Sequence, residues 1–324
     1  MCSNKLLKAA NVVIKKCLNV KKGETVLILT DSKVDQRIIN ALYQAALEIG
    51  ALPTIAILPP RNSPTDEPPN NVVSAMRSSD VIIGATSITL YHTKARVIAN
   101  NAGARFISIP NPVIELFTSD AMFADFIKIK PKIELLANLM TRAKEIKLTT
   151  PAGTNIIAKI DGRKANAESG ICHVPGCCTG VPGIEVNIAP IENSTEGKIV
   201  VDGTISIFPG LVKEPIIIYV RNGRAEKIIG KEEALKLKEV LDKLNDPNVF
   251  IIAEIAVGFN PKSKVRGISP AEDESALGTA HIALGDNIAL GGSNKASIHV
   301  DLVIKQPKIW LDGKLVFDTD HLIL

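Results

Sequence analysis

The segment SIHVDLVI, residues 297–304, sets His299 and Asp301 two positions apart among β-branched and aliphatic neighbours. In a strand, alternate residues face the same way, so this imidazole and carboxylate project together while Ile298, Val300 and Leu302 take the other face. Such a pair is placed to grip one divalent cation, although a solvated strand face or a structural His–Asp pair uses the same spacing. Glu254 sits inside VFIIAEIAVGF, a nearly continuous apolar run. A carboxylate there is costly to bury unless it is paired or binds metal, and its ordinary alternative is a strand position open to water. Glu274 and His281 flank a stretch of small residues in ESALGTAHIALGDN.

A fourth segment, GIEVNIAPIENSTEG, puts Glu185 and Asn187 on one strand face and Ile184, Val186 and Ile188 on the other. Glu192, after a turn proline, reads as a surface charge. Together Glu185, Glu254, Glu274, His281, His299 and Asp301 form a mixed nitrogen and oxygen donor set, enough for one metal or for two sharing a carboxylate. The chain has only five histidines, and two of them fall in this set. The other thiol- and imidazole-bearing stretch, CHVPGCC (Cys172, His173, Cys177, Cys178), lacks the second matched pair of a structural zinc site and reads as ordinary thiols. No G-x-S-x-G elbow supports a serine nucleophile. Gly291–Gly292 fits a close approach of backbone to a ligand or a simple hairpin turn.

The elements that must carry these residues fall into two rhythms. Over the first 130 or so residues, short buried strands (Glu24–Thr30, Pro53–Leu58, Asp80–Ala85, Arg105–Ile109) alternate with helical segments, which predicts a parallel sheet covered on both faces. Neither a G-x-G-x-x-G turn after the first strand nor a phosphate-binding G-x-x-x-x-G-K-[ST] loop is present, so a nucleotide site has no signal there. Lys130–Lys147 reads as a helical connector. Beyond it come short strands and glycine-rich turns, interrupted by one helix at Lys231–Leu244. The expected architecture is an α/β domain with a parallel sheet over residues 1–146, then a β-rich α+β, barrel-like metal-binding domain over 147–324.

Composition narrows the function classes. The net charge is +4, and one Trp, three Tyr and eight Phe leave little to stack on bases, which argues against a nucleic-acid partner. The longest apolar run, Val249–Phe259, carries Glu254, so no membrane span is expected. Five cysteines in a chain of 324 residues, with no secretory leader pattern, predict a reduced, cytoplasmic protein.

In this order, the donor-bearing islands resemble the metallo-aminopeptidase family typified by aminopeptidases T and S. The matching pieces are G-x-E-V-x-x-A-P-x-E-x-S-x-x-G (Gly183–Gly197), A-E-x-A-x-G (Ala253–Gly258), D-E-x-A…H-x-A-x-G (Asp273–Gly285) and H-x-D (His299–Asp301). That resemblance implies a dimeric, two-metal exopeptidase acting on peptides. Glu185, Glu254, His281, His299 and Asp301 would be ligands to zinc, cobalt or manganese, and Glu274 a further one. The family's pattern places a tyrosine where this chain has Ile288. The chain also resembles the shorter, iron-dependent dihydroxypyridine ring-cleaving dioxygenases. Under that alternative His281, His299 and Asp301 would hold Fe(II) for a small heteroaromatic substrate, with Glu185 and Glu254 as extra carboxylates. A non-catalytic metal-binding relative is the third expectation.

Overall fold

A computed structural model describes residues 2–323, and the chain divides into two compact units. The first comprises residues up to Lys128 together with Ser169–Gly183. Its five strands are all parallel, in the order Leu52–Leu58, Thr25–Asp31, Val81–Gly84, Arg105–Ser108, Cys178–Gly180. The inner strands are apolar nearly throughout because helices cover both faces. On one face Leu27, Leu29, Ile82 and Phe106 pack against Met76, Ala95 and Ala99 of the covering helices and Leu90 of a loop between them.

The fifth strand explains why the division differs from a single cut at residue 146. The chain leaves the first unit at Lys128, and residues 169–183 return to it to complete the parallel sheet. In that returning segment the V-P-G turn brings Cys172 and Cys177 to a Cα separation of 5.5 Å, and they form a disulfide. The expectation of reduced thiols is therefore corrected for this pair, whose sulfurs bind each other. Cys17 remains a thiol, and burial pushes it up to about 12.

The second unit, Ile129–Glu168 and Ile184–Leu324, is built on two antiparallel sheets. The eight-stranded one runs from Arg224–Ile229 through Glu145–Thr149 to His321–Leu322. Neither sheet among the described residues closes into a barrel, so the barrel-like expectation gives way to open sheets. The predicted connector is a helix over Phe126–Arg142, and the alternating Glu145–Thr149 leaves it for the sheet. Beside the sheets, Ile205 makes only an isolated bridge to Leu302.

The five-stranded sheet carries every predicted donor except Glu274. Its order is His299–Lys305, Thr279–Gly285, Ile252–Gly258, Glu185–Ile188, Asn166–Glu168. One face is a row of aliphatic side chains, Ile188, Ile255, Ile282 and Leu302, in register across four strands. A bulge at Ala253 lets Ile252 and Ile255, three residues apart, both join that face. The same bulge turns Glu254 onto the opposite face, where regular alternation would have left it among the aliphatics.

On that opposite face, register sets each donor beside a small residue. Glu185 neighbours Gly258, Glu254 and Asp301 neighbour Ala283, His281 neighbours Ala256, and His299 neighbours Gly285. Gly258 also admits the backbone of the Glu274 segment. A methyl group on it would lie 2.4 Å from the carbonyl oxygen of Ala276 and 2.7 Å from that of Glu274. Gly258→Ala should therefore cost about 1–3 kcal/mol of stability through overpacking. Urea denaturation measures this, and an unchanged midpoint would show that the approach is not tight.

Candidate metal centre

Glu254 is the meeting point of the site. Its Oε2 lies 3.1 Å from His299 Nε2, and its Oε1 lies 3.7 Å from His281 Nε2. His299 Nε2 is also 3.1 Å from Asp301 Oδ1, and His281 Nε2 is 4.0 Å from Glu185 Oε2. These contacts define two compact donor trios among the described residues: Glu254, His299 and Asp301, and Glu185, Glu254 and His281. The two histidines therefore converge on Glu254. His281, His299 and Asp301 do not form a trio of their own.

The surroundings hold several of these side chains in place. His299 Nδ1 donates to the Asp286 carbonyl at 2.6 Å, so its Nε2 is the nitrogen turned toward the carboxylates. The Asp301 backbone is fixed by Ser206, whose hydroxyl accepts from Asp301 N at 2.8 Å. Asn166 donates to Asn187, which donates to Glu185 Oε1 at 3.0 Å. That relay leaves Glu185 Oε2 for His281. Asn187 was legible as sharing a face with Glu185. Asn166, Ser206 and the Asp286 carbonyl were not, since a three-residue strand, a turn serine and a main-chain oxygen leave no periodic signal.

Four carboxylates face two imidazoles here. Glu254 and His281 are buried, and 32% of the His299 side chain is exposed. Burial raises the proton affinity of Glu185, relieved in part by His281 and reinforced by Glu254. It raises Glu274 well above the carboxylate range, with the charge on Asp301 adding to it. Burial also opposes charge on Glu254, but the imidazoles of His281 and His299 outweigh it and hold Glu254 low. Asp301 is held low against burial by His299. Burial likewise disfavours charged His281 and His299. The carboxylates, Glu185 and Glu254 for the first and Asp301 and Glu254 for the second, overcome it and lift both histidines well above their usual range.

This donor set fits a divalent cation. Its carboxylate and imidazole ligands suit zinc, manganese, cobalt and ferrous iron alike. Glu274 Oε1 and His281 Nδ1 are buried without a hydrogen-bond partner, as polar atoms lining a charge-binding cage can be.

Comparison with known proteins separates the chemistries that the donors alone leave open. The family model described as 2,5-dihydroxypyridine 5,6-dioxygenase (NicX) matches residues 5–323. The 2,5-dihydroxypyridine 5,6-dioxygenase of Pseudomonas putida KT2440 is 25% identical over 325 residues, covering 93% of this chain and 91% of that protein. The solved structure of 2,5-dihydroxypyridine dioxygenase from Pseudomonas putida KT2440 superposes with a TM-score of 0.85 at 23% identity, over 99% of this chain and 97% of that one. AmpT from Thermus thermophilus superposes over the full length of both chains with a TM-score of 0.72 at 17% identity, which is a likeness of fold.

These findings overturn the aminopeptidase expectation: the chain is not assigned as a hydrolase, a protease or a proteolytic enzyme. The islands that suggested it lie on the strands and turns of a fold that the AmpT structure shares, and a shared fold hosts different reactions. Among the described residues, no helix is long and apolar enough to cross a membrane.

Two outcomes follow from the electrostatics. Glu254→Ala and His299→Ala should each abolish tight metal uptake in elemental analysis while leaving the far-ultraviolet circular dichroism unchanged. Parental metal content in both variants would remove the site. In chelator-treated protein, both histidines have folded values above the unfolded value of about 6.5. Their stabilisation is full below that pH and is lost as the pH rises through the folded values. Calorimetry should show the melting midpoint falling as the pH rises above about 6.5, and a level or rising midpoint contradicts the charge arrangement.

Proposed function

The chain belongs to the 2,5-dihydroxypyridine 5,6-dioxygenase family, and from that membership we propose that it is a ferrous-iron-dependent dioxygenase that opens the ring of a dihydroxylated pyridine. The observation that carries this reading is the family match over residues 5–323, which takes in every donor described above. The site's nitrogen and oxygen ligands, with no thiolate among them, support a non-haem iron.

We assign the iron to Glu254, His299 and Asp301. Their mutual contacts are the shortest in the cluster, and His299 is the least buried of the donors, which leaves an approach for small molecules. When bound, the iron would supply the redox centre for reaction of dioxygen with the substrate ring. The chain's own residues do the rest. The Asp286 carbonyl keeps His299 Nε2 aimed at the metal position. Ser206 holds the Asp301 backbone. Glu185, whose proton affinity burial raises, is the carboxylate suited to take a proton from a ring hydroxyl as the substrate binds, while Glu274 is held toward its protonated form. His281 balances the charge of Glu185 and Glu254 from the buried side. The aliphatic back of the sheet keeps water from reaching the donors through it.

The test is anaerobic loading with ferrous iron, followed by oxygen-electrode assay with 2,5-dihydroxypyridine. One O2 consumed per substrate lost is expected, with zinc-loaded protein inactive and Glu254→Ala and His299→Ala silent. No oxygen uptake with the iron-loaded parent would refute the reading.

A further inference from the structure

Glu192 reads from sequence as a surface charge, yet only 21% of its side chain is exposed. It accepts from three donors: Arg163 Nη2 at 2.6 Å, Ser293 N at 2.6 Å and Asn287 Nδ2 at 3.2 Å. The other amino group of Arg163, Nη1, donates to the Gly291 carbonyl at 2.6 Å. One ion pair thus fastens residues 287–293 at three points. The loop is also closed on itself, with Asn287 N donating to Asn294 O, Asn294 N to Asn287 Oδ1 and Gly292 N to Asn287 O. Asn294 Nδ2 ties it to the Gly285 carbonyl at 2.7 Å. Gly292 packs so closely that a Cβ there would lie 2.1 Å from the Asn287 side chain, and Gly291 takes a left-handed φ of +86°.

The residue immediately before this loop is Asp286, whose carbonyl receives His299 Nδ1. The group bonded to the second ring nitrogen fixes both the tautomer and the direction of a metal-binding imidazole. A carbonyl does this only if its own peptide is held. The Asp286 peptide is held on one side by Ile298, whose carbonyl accepts from Asp286 N at 2.8 Å, and on the other by the fastened loop.

We propose that Glu192 and Arg163 are a positioning pair for His299: they clamp loop 287–293, and the clamp sets the Asp286 carbonyl that aims His299 Nε2 at the metal. The inference rests on the proposed metal centre, and it concerns how that centre is aimed rather than which ring it opens. Neither residue touches the donors directly. Their effect is transmitted through the loop, so the two act as one unit, and Glu192→Gln, which can still accept from Ser293 N, retains most of the clamp.

The test uses zinc-loaded full-length protein carrying 15N-histidine, in which five histidines give a short spectrum. His299 should show a slowly exchanging Nδ1 proton, assigned by its absence in His299→Gln. In Glu192→Ala that proton should exchange fast, and ferrous-iron affinity should fall roughly 10- to 100-fold, the range for partners of metal-bound histidines. Glu192→Gln should restore both within a few-fold. Arg163→Gln should reproduce the loss, and the double variant should be no worse than Glu192→Ala, as expected of coupled residues. A protected Nδ1 proton with parental affinity in Glu192→Ala overturns the clamp, even if that variant melts earlier. So does additive loss in the double variant. If the parent binds metal and shows the protected proton but consumes no oxygen, the dioxygenase reading fails while the clamp stands.

Discussion

Everything in the second unit answers to one electrostatic constraint: Glu254 is a carboxylate on an interior strand, 3% exposed, with three more carboxylates within interaction range. A lone buried carboxylate would take up a proton rather than remain charged. Here two imidazoles, 3.1 and 3.7 Å away, keep it ionised. Asp301 shares His299 with it, while burial drives Glu185 and Glu274 toward the protonated form. A cation at the proposed site would take the place of those protons, with the same groups as its ligands.

The sheet makes this arrangement possible by dividing its labour between faces. The bulge at Ala253 keeps the aliphatic row intact on one side while delivering Glu254 to the other. On the donor side, alanines and glycines stand between the large polar residues, so imidazoles and carboxylates meet over them instead of being held apart by bulk. Glu274 arrives from outside the sheet, where Gly258 gives its backbone room. The proposed metal position is therefore built on hydrogen-bonded strands.

Much of this was legible in the residues. The period-two spacing of His299 with Asp301 and of Glu185 with Asn187 announced a polar strand face, and an ionised residue in the apolar run around Glu254 announced a pairing requirement. What stayed hidden was long-range. No local pattern distinguishes a bulged strand from a regular one, so the face of Glu254 was not fixed by its neighbours. His281, expected beside a turn, lies in the middle of the buried strand Thr279–Gly285. The Cys172–Cys177 bond and the return of residues 169–183 to the first sheet depend on contacts that spacing does not encode. The aminopeptidase resemblance failed for a related reason. Its motifs lie on the elements that hold donors, and such elements are retained when the chemistry at the metal changes.

Whether Glu254 joins His299 and Asp301 around a single iron is decided by anomalous scattering at the iron edge from crystals of the iron-loaded protein. One anomalous peak is expected in contact with a carboxylate oxygen of Glu254, Nε2 of His299 and a carboxylate oxygen of Asp301, with the His299 Nδ1 contact to Asp286 preserved. A peak bound elsewhere, or one that leaves Glu254 outside its coordination sphere, would contradict it.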